Sequence, residues 1–275
     1  MLELPESQTL ARQLRESILG KRIEKVQANA TPHGFAFYHG DPAGYGGLLL
    51  GKTVEDVQVF GGQVEIIAGD ARLVINDGVN MRLYPAGSKR PGKHQLFVEL
   101  SDGSALICTV QMYGGMQAFK TGTYDNPYYH VAKVKPSPLS DAFDEAYFGK
   151  MLAAAKETLS VKAFLATEQR IPGLGNGVLQ DILFRARIHP KTKLSALTAD
   201  QKARLFASVK DTLREMTDKG GRNTEKDLYG QPGGYPCLLS KNTLDKPCPV
   251  CSGALIRQAY LGGNIYFCPA CQPEQ

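Results

Sequence analysis

Cys248-Pro-Val-Cys251 and Cys268-Pro-Ala-Cys271 are two CxxC pairs near the C-terminus, with sixteen residues between them. This spacing is typical of a tetrahedral site in which four thiolates bind one zinc ion. The segment between the pairs contains two strand-like runs, 254–260 and 265–267, joined at Gly262-Gly263, which tolerates the positive φ of a tight turn. The sequence therefore predicts a structural Zn²⁺ that stabilises a small β-ribbon.

The alternatives for these cysteines are two disulfides or four buried free thiols. Six cysteines in 275 residues do not make a disulfide-dense scaffold. No charged and then apolar leader is visible at the start of the chain, so we expect no export to an oxidising compartment. A zinc site therefore fits these four cysteines better than disulfides or buried free thiols do. Cys108 and Cys237 fall outside the pattern and are predicted to be packing residues.

Composition and charge narrow the class of protein. Hydrophobic residues make up 43% and charged residues 21% of the chain, both ordinary for a soluble globular protein. No apolar run approaches the roughly 20 residues that span a bilayer, so we expect no membrane association. Residues 1–150 carry 15 basic and 16 acidic side chains, whereas residues 151–275 carry 17 and 11. The basic second half favours a polyanionic partner, although a solvated basic surface would look the same.

The first half of the chain is β-rich. An opening helix is indicated by Leu10, Leu14 and Ile18, which share one helical face. Six strand-like runs follow, many separated by glycine or Asp-Gly turns, at residues 21–27, 52–59, 62–67, 72–75, 95–100 and 105–110. This order predicts a β-sandwich rather than a repeated βαβ unit.

The second half is predicted to be helical. Lys133-Val-Lys-Pro136-Ser-Pro138 is typical of an extended connector. Helical periodicity follows at residues 142–155, 161–167, 177–187 and 198–217. The sequence thus predicts a two-domain α+β protein, with a β-sandwich domain over 1–132, a linker over 133–140, a helical domain over 141–230 and a zinc finger over 231–275.

A glycine-rich turn precedes the third of these helices. Gly173-Leu174-Gly175-Asn176-Gly177 opens a helix whose free backbone N–H groups and macrodipole make an anion site. Asn176 stands where a helix cap is expected, and a structural cap is as compatible with the pattern as a phosphate grip. A nucleotide-binding GxGxxG loop does not fit this segment, because the third glycine is missing and a helix, not a strand, precedes the turn.

Taken together, these features resemble the formamidopyrimidine-DNA glycosylase and endonuclease VIII family. The resemblance rests on the Glu3-Leu4-Pro5-Glu6 start, the β-rich first domain, the turn at Asn176 and the terminal ribbon, and it covers essentially the whole chain. It implies a helix-two-turn-helix fold whose interdomain cleft holds bent duplex DNA with a flipped-out damaged base. Lys162, Gly175, Asn176 and the zinc ribbon would contact phosphates. We expect a monomer in the cytoplasm, associated with the nucleoid if the source is bacterial.

The nucleophile of typical family members is absent. In those members a proline follows the initiator methionine, and its amine attacks the sugar C1′ after the methionine is removed. This chain has Leu2 there, and a bulky second residue normally prevents methionine removal. The free amine then stays on Met1, displaced by about 3.8 Å. The resemblance therefore implies weak or absent abasic-site lyase activity.

Two cations that contact phosphates in the family are also replaced. The hairpin lysine falls at Gln63, and the zinc-ribbon arginine falls at Gly263. Each replacement removes a charge-assisted hydrogen bond of roughly 1.5–3 kcal/mol. The amides of Gly262 and Gly263 could still approach a phosphate closely.

The residues that fill the gap left by a flipped base differ as well. We expect residues 76–81 to form a loop that offers Val79 or Met81 as an apolar wedge. Gln111 stands where arginine is usual in the family, and Tyr113 stands where phenylalanine is usual.

Two acids remain in the places that the family uses. By resemblance, Glu3 would be the proton donor and acceptor at the sugar, with Glu6 beside it. The alternative is that both acids only stabilise the start of the first helix. Two functions follow: a DNA glycosylase that hydrolyses the N-glycosidic bond through Glu3, or a catalytically silent protein that binds damaged or structured DNA. A zinc-ribbon transcription or RNA-processing factor is a third interpretation.

Overall fold

The computed structural model describes residues 2–274; Met1 and Gln275 lie outside the described part. Its α-helices are α1 (Leu4–Ile18), α2 (Tyr45–Leu49), α3 (Pro127–Val134), α4 (Glu145–Ala154), α5 (Val161–Ala166), α6 (Asn176–Ala186) and α7 (Ala199–Asp218). Its strands are β1 (Ile23–Ala28), β2 (Ala36–Phe37), β3 (Asp56–Phe60), β4 (Gln63–Ala68), β5 (Ala71–Tyr84), β6 (Leu96–Leu100), β7 (Ala105–Lys120), β8 (Ile256–Tyr260) and β9 (Gly263–Phe267). The predicted α+β class is confirmed.

Helix α1 covers one side of the β-rich half. Leu10, Leu14 and Ile18 are buried on one face, as the sequence predicted, and each contributes roughly 1.5–3 kcal/mol by leaving water. Pro5 lies in the first turn, where its missing N–H costs no helical hydrogen bond. The helix is thereby fixed by its apolar face, and its N-terminal residues are held at the boundary between the two halves of the chain.

The strands β1–β7 form one hydrogen-bonded sheet in the order β1-β6-β7-β5-β4-β3, with β2 added to β7. Pairing is antiparallel except between β2 and β7, which run parallel. Strands β5 and β7 are the longest and pair with each other at the centre of the sheet. Side chains from the sheet and from α1 form the first apolar core.

The segment 76–81 does not form the predicted loop. It belongs to strand β5, and the side chains of Val79 and Met81 are buried in the core. Side chains alternate between the two faces of a strand, and residues 75, 79 and 81 lie on the inner face. The pairing with β7 is irregular only between Asp77 and Val79. The prediction that Val79 or Met81 projects as a wedge is therefore wrong.

Helices α4–α7 enclose a second apolar core. The four predicted helices are found with ends that differ by at most three residues. The connector starts later than predicted, because Lys133 and Val134 are the last residues of α3 and extended geometry begins at Lys135. Asn126 caps α3, which packs its aromatic face on Phe119. Every helix among residues 2–274 is too short or too polar to span a bilayer.

The two halves meet at a contact between backbones. The turn Gly61-Gly62 of the β3–β4 hairpin lies against Pro172-Gly173 of the α5–α6 loop, and a Cβ added to Gly61 would come within 2.7 Å of Pro172. The N-terminal segment crosses this contact: Leu4 N–H donates to the Gly173 carbonyl at 2.8 Å, and Ser7 Oγ donates to the Gly61 carbonyl at 2.6 Å. The chain start is thereby fixed between the two halves.

Candidate active site and metal centre

The carboxylate of Glu3 lies at the N-terminus of α6. Its Oε1 accepts a hydrogen bond from Gly177 N–H at 2.8 Å, and its Oε2 accepts one from Val178 N–H at 2.7 Å. These are orphan donors of the first helical turn, so a residue distant in sequence caps the helix. Glu3 was predicted to act on the sugar or to stabilise the first helix. In the structure its carboxylate contacts the N-terminus of α6.

Asn176 is not the cap that the sequence predicted. It is the first residue of α6, and the preceding Gly175 has no side chain with which to cap the helix. The amide of Asn176 donates instead to the carbonyl of Asn264 in the ribbon at 2.9 Å. A Cβ on Gly175 would lie 2.6 Å from Glu3 Oε1, so glycine is needed here for the carboxylate to reach the helix.

Arg222 joins Glu3 and Glu6. Its Nη1 lies 3.4 Å from Glu3 Oε2, and its Nε and Nη2 donate to the two oxygens of Glu6 at 3.0 and 2.8 Å. All three side chains are buried, which requires pairing of the charges. Sequence analysis missed Arg222, because an arginine after a Gly-Gly pair carries no distinctive signal. Only the burial of two acids reveals the need for it.

Opposing influences act on the pKa of Glu3. Burial raises the pKa of this carboxyl most strongly, and Glu6 adds to the rise, whereas Arg222 and the backbone donors of α6 act to lower it. The two carboxylates keep the pKa of Arg222 high in spite of its burial, so the arginine remains charged. The site thus combines an acid that holds its proton more readily than usual with a fixed cation.

The nitrogen of residue 2 is engaged in the fold. Leu2 N–H donates to the carbonyl of Asp77 at 2.6 Å, and the Leu2 side chain is buried in the core of the β-rich half. The Leu2 carbonyl lies so close to Gly62 that a Cβ there would be 2.8 Å from it. The predicted amine of Met1 lies outside the described residues. Residue 2 therefore acts as a structural anchor at the place where the family carries its nucleophile.

Asp77 is a second acid near Glu3 that sequence analysis missed. Its φ of 55° is unusual for a residue other than glycine. Burial raises the pKa of Asp77, although part of the residue remains open to solvent. Both Asp77 and Glu3 add to the effect of burial in raising the pKa of Tyr113, so the three side chains share one neighbourhood.

Two residues at predicted DNA-binding positions make hydrogen bonds inside the protein. Gln63 is buried, and its amide donates to the Tyr128 carbonyl on α3 at 3.1 Å. Lys162 is buried too, and its ammonium donates to the Tyr260 carbonyl at 2.6 Å, tying α5 to the ribbon. Burial also lowers the pKa of Lys162. Both side chains thus join parts of the fold, and a phosphate contact by Lys162 stays a prediction.

The other predicted residues remain near the surface. Gly262 has a φ of 71° at the tip of the ribbon, as the hairpin prediction requires, and Gly263 lies beside Asn176. Gln111 and Tyr113 are exposed on β7. The structure therefore brings together Glu3, Gly175, Asn176 and Gly263, whereas Val79 and Met81 are buried in the core.

The four predicted cysteine ligands converge at the base of the ribbon. The sulfurs of Cys248, Cys251, Cys268 and Cys271 all lie within 4.8 Å of one another. The Cys248–Cys271 and Cys251–Cys268 sulfur distances are 3.8 and 3.4 Å, too long for disulfides. Tetrahedral zinc with Zn–S bonds of about 2.3 Å requires sulfurs about 3.8 Å apart. The cluster fits a metal ion of this kind.

Fold and site together define a two-domain helix-two-turn-helix protein with a four-cysteine finger. Residues 134–227 match the family model described as "Formamidopyrimidine-DNA glycosylase H2TH domain". The formamidopyrimidine-DNA glycosylase of Symbiobacterium thermophilum is 31% identical over 99% of this chain and 90% of its own length. That of Brevibacillus brevis is 29% identical over 100% of both chains. The chain belongs to the formamidopyrimidine-DNA glycosylase family.

Solved structures agree with this assignment. The MutM (Fpg) protein of Thermus thermophilus superposes with a TM-score of 0.81 at 25% identity, covering 99% of each chain. The Lactococcus lactis Fpg in complex with DNA containing an abasic site superposes with a TM-score of 0.83 at 23% identity, covering 99% of this chain and 100% of that one. The fold is thus shared over its full length, including the finger.

Proposed function

We propose that this protein binds damaged duplex DNA and hydrolyses the N-glycosidic bond of a lesion base with the carboxyl group of Glu3, without cleaving the abasic strand. The observation that carries this proposal is the position of Glu3, which is held between the two halves of the chain and has a raised pKa. A proton donor and acceptor that works near neutral pH needs such a pKa.

In the proposed reaction, water supplies the oxygen that bonds to the sugar C1′ as the bond from C1′ to the base nitrogen breaks. A carboxylate oxygen of Glu3 takes a proton from the water and passes it to the departing base nitrogen, so the products are a free base and an abasic sugar, and Glu3 returns to its starting state. Arg222 keeps the carboxyl group in position through its contact at 3.4 Å. Water is assigned as the nucleophile because the N–H of Leu2 is already engaged in a hydrogen bond to the Asp77 carbonyl.

The proposal includes one structural Zn²⁺ held by the four cysteines of the finger. The sulfur spacing and the all-thiolate donor set support it. When bound, the ion stabilises the finger and takes no part in bond breaking. The finger touches α6 through Asn176 and Gln180, so its folding supports the surface that we expect to meet the DNA backbone.

A second candidate is a catalytically silent protein that binds damaged or structured DNA. The engagement of Glu3 favours it: both carboxylate oxygens accept hydrogen bonds from α6, and only 3% of the side chain is exposed. Access to substrate then requires the acid to be uncovered on DNA binding. The two candidates share fold, partner and metal, and differ only in turnover.

One set of incubations separates the candidates. The protein and its Glu3→Gln variant are mixed with duplexes that carry single oxidised bases or an abasic site. Alkali reveals silent base loss, and borohydride traps any Schiff base. We expect base release that the variant lacks, with no trapped adduct. Tight binding without product over the whole panel would assign the silent role. The intact mass of the protein shows whether Met1 is retained, as expected for residue 2 being leucine.

A further inference from the structure

The carboxylate of Asp77 is a charged group in the acid site that takes no part in the proposed reaction. Leu2 N–H donates to the Asp77 carbonyl at 2.6 Å, and Glu3 is the next residue along the chain, so one backbone contact brings the two acids together. The charges of both acids reach the phenol of Tyr113. Asp77 and Glu3 therefore belong to one site.

The backbone of Asp77 is strained in a way that turns its side chain out of the core. Ile75 and Val79 are buried on the inner face of β5, and simple alternation would place residue 77 between them in the apolar core. Asp77 instead has a φ of 55° and is exposed. This left-handed conformation costs stability in a residue other than glycine. An apolar side chain would fill the inner position without that cost, so the strain serves to present a carboxylate.

The neighbouring strand leaves the Asp77 carboxylate uncovered. Asp77 pairs with Gly114 of β7, which has no side chain to lie over it, and Val79 pairs with Val110, so residues 111–113 form a bulge. Among residues 2–274, Asp77 takes part in no salt bridge and its carboxylate accepts no hydrogen bond. A partly buried acid without a partner is costly, which indicates a ligand rather than packing.

Glu3 and Asp77 differ in what they offer a substrate. Both oxygens of Glu3 accept hydrogen bonds from α6, and Arg222 lies 3.4 Å from one of them, so the charge of Glu3 is balanced inside the protein. Asp77 is exposed and has no cation beside it in the part of the chain that the structure describes. Cleavage of a glycosidic bond develops positive charge at the sugar C1′, which a fixed anion stabilises. Asp77 is the acid that can supply this anion.

We infer that Asp77 is a second catalytic residue, whose ionised carboxylate faces the sugar and stabilises the positive charge that develops at C1′ as the base departs. The proton path is unchanged: water loses its proton to Glu3, the base nitrogen receives it, and Asp77 neither gains nor loses a proton. This inference rests on the proposed function and deepens it, because Glu3 then transfers the proton while Asp77 stabilises the charge.

The test compares three variants with the parent. Asp77→Asn keeps the shape of the side chain and its tolerance of a positive φ but removes the charge, and Asp77→Gly removes both the charge and the strain. Asp211→Asn removes the same charge from an exposed position on α7 and is the matched control. We expect that the melting temperature does not fall in either Asp77 variant, because the strained residue holds no partner in place.

Binding to two analogue duplexes measures the effect of the charge without turnover. One duplex carries a pyrrolidine in place of the lesion sugar, whose protonated ring nitrogen imitates the positively charged sugar, and the other carries an uncharged tetrahydrofuran. We expect the parent and the control to prefer the pyrrolidine duplex. Both Asp77 variants should lose about tenfold of that preference, with unchanged affinity for the tetrahydrofuran duplex.

Base release is measured by alkali cleavage of the duplexes that carry single oxidised bases. We expect it to fall about 100-fold in both Asp77 variants and to stay unchanged in the control. An unchanged pyrrolidine preference, unchanged base release, or a lower melting temperature in both Asp77 variants would overturn the inference alone. If the parent releases no base over the whole panel, the proposed hydrolysis fails and the role of Asp77 fails with it. If the parent binds neither analogue, the DNA-binding part of the proposed function fails as well.

Discussion

The finger, residues 248–271, and the N-terminal corner, residues 2–6 together with Arg222, both hold α6 in place, but they do so by different interactions. The finger reaches α6 through Asn176 and Gln180, and it is held by four cysteines grouped within 24 residues. The corner reaches α6 through Glu3, which is held by Arg222 and by backbone contacts from distant parts of the chain. The finger has all four predicted cysteine ligands, whereas the corner has Leu2 in place of the expected proline and pairs its two acids with Arg222. Two separate parts of the chain therefore fix the same helix.

Loss of the metal should have the largest effect, and it should fall on the finger alone. Thiolate coordination of zinc contributes about 10–16 kcal/mol to small zinc domains. We expect Cys251→Ser or a strong chelator to unfold residues 248–271 and to leave the β-rich half folded, as limited proteolysis and zinc content will show. Cys237→Ala, outside the cluster, is the control. A finger that stays protected in chelator would contradict the metal assignment.

Arg222→Ala should be the most damaging single change in the corner. It leaves Glu3 and Glu6 buried without their cation, which costs about 3–5 kcal/mol. Urea denaturation measures this loss. Adding Glu3→Gln and Glu6→Gln should restore part of it, because the uncompensated charges are then gone.

The control for that experiment is Arg12→Ala, which breaks a surface pair with Glu16 whose side chains are 60% and 58% exposed. Exposed pairs contribute little. If both arginine variants lose the same stability, Arg222 does not serve the buried acids.

The backbone contact between the two halves should depend on glycine at one position. Gly61→Ala introduces a Cβ 2.7 Å from Pro172 at a φ of 55°, and we expect a loss of about 2 kcal/mol. Gly20→Ala shares the positive φ, at 75°, with open space around it, so it should cost about 1 kcal/mol. The difference between the two midpoints isolates the steric contact. Equal losses would mean that the halves do not press together there.

The raised pKa of Glu3 predicts how stability varies with pH. A carboxyl group whose folded pKa lies above its unfolded value of about 4.5 stabilises the fold at low pH, and this contribution fades as pH rises through the folded pKa. We expect the parent to lose stability relative to Glu3→Gln as the pH rises from that unfolded value towards neutrality, as urea midpoints measured across this range will show. Parallel curves for parent and variant would show that Glu3 does not titrate differently in the fold.

Asn176→Ala should give the smallest effect, shared between finger and corner. It removes one hydrogen bond to the Asn264 carbonyl, worth about 1 kcal/mol. We expect DNA affinity to fall several-fold at every salt concentration, because a positioning contact carries no base information. Asn264→Ala keeps the backbone acceptor and should leave affinity unchanged. An Asn176 variant that binds like the parent would remove this residue from the interface.

The features predicted correctly from sequence are those encoded by near neighbours. The four cysteines and the helical periods each need only a few consecutive residues, and both were found. The caps and pairs of the corner were missed, because Glu3 meets α6 at a separation of 174 residues and Arg222 meets Glu6 at 216. The bulge at residues 111–113 was missed for a related reason: it is a property of the β5–β7 register and not of either strand.

The span between Glu3 and its partners also bears on how the protein is made. The ribosome delivers the N-terminal acids first, and the arginine that neutralises them emerges more than two hundred residues later. While the β-rich half folds, the carboxylates of Glu3 and Glu6 therefore have neither the cation nor the α6 donors that they contact in the complete chain. The pairing of Arg222 with Glu3 and Glu6 is then a late event in biogenesis. A fusion partner placed ahead of Leu2 would slow this step more than one placed after the finger.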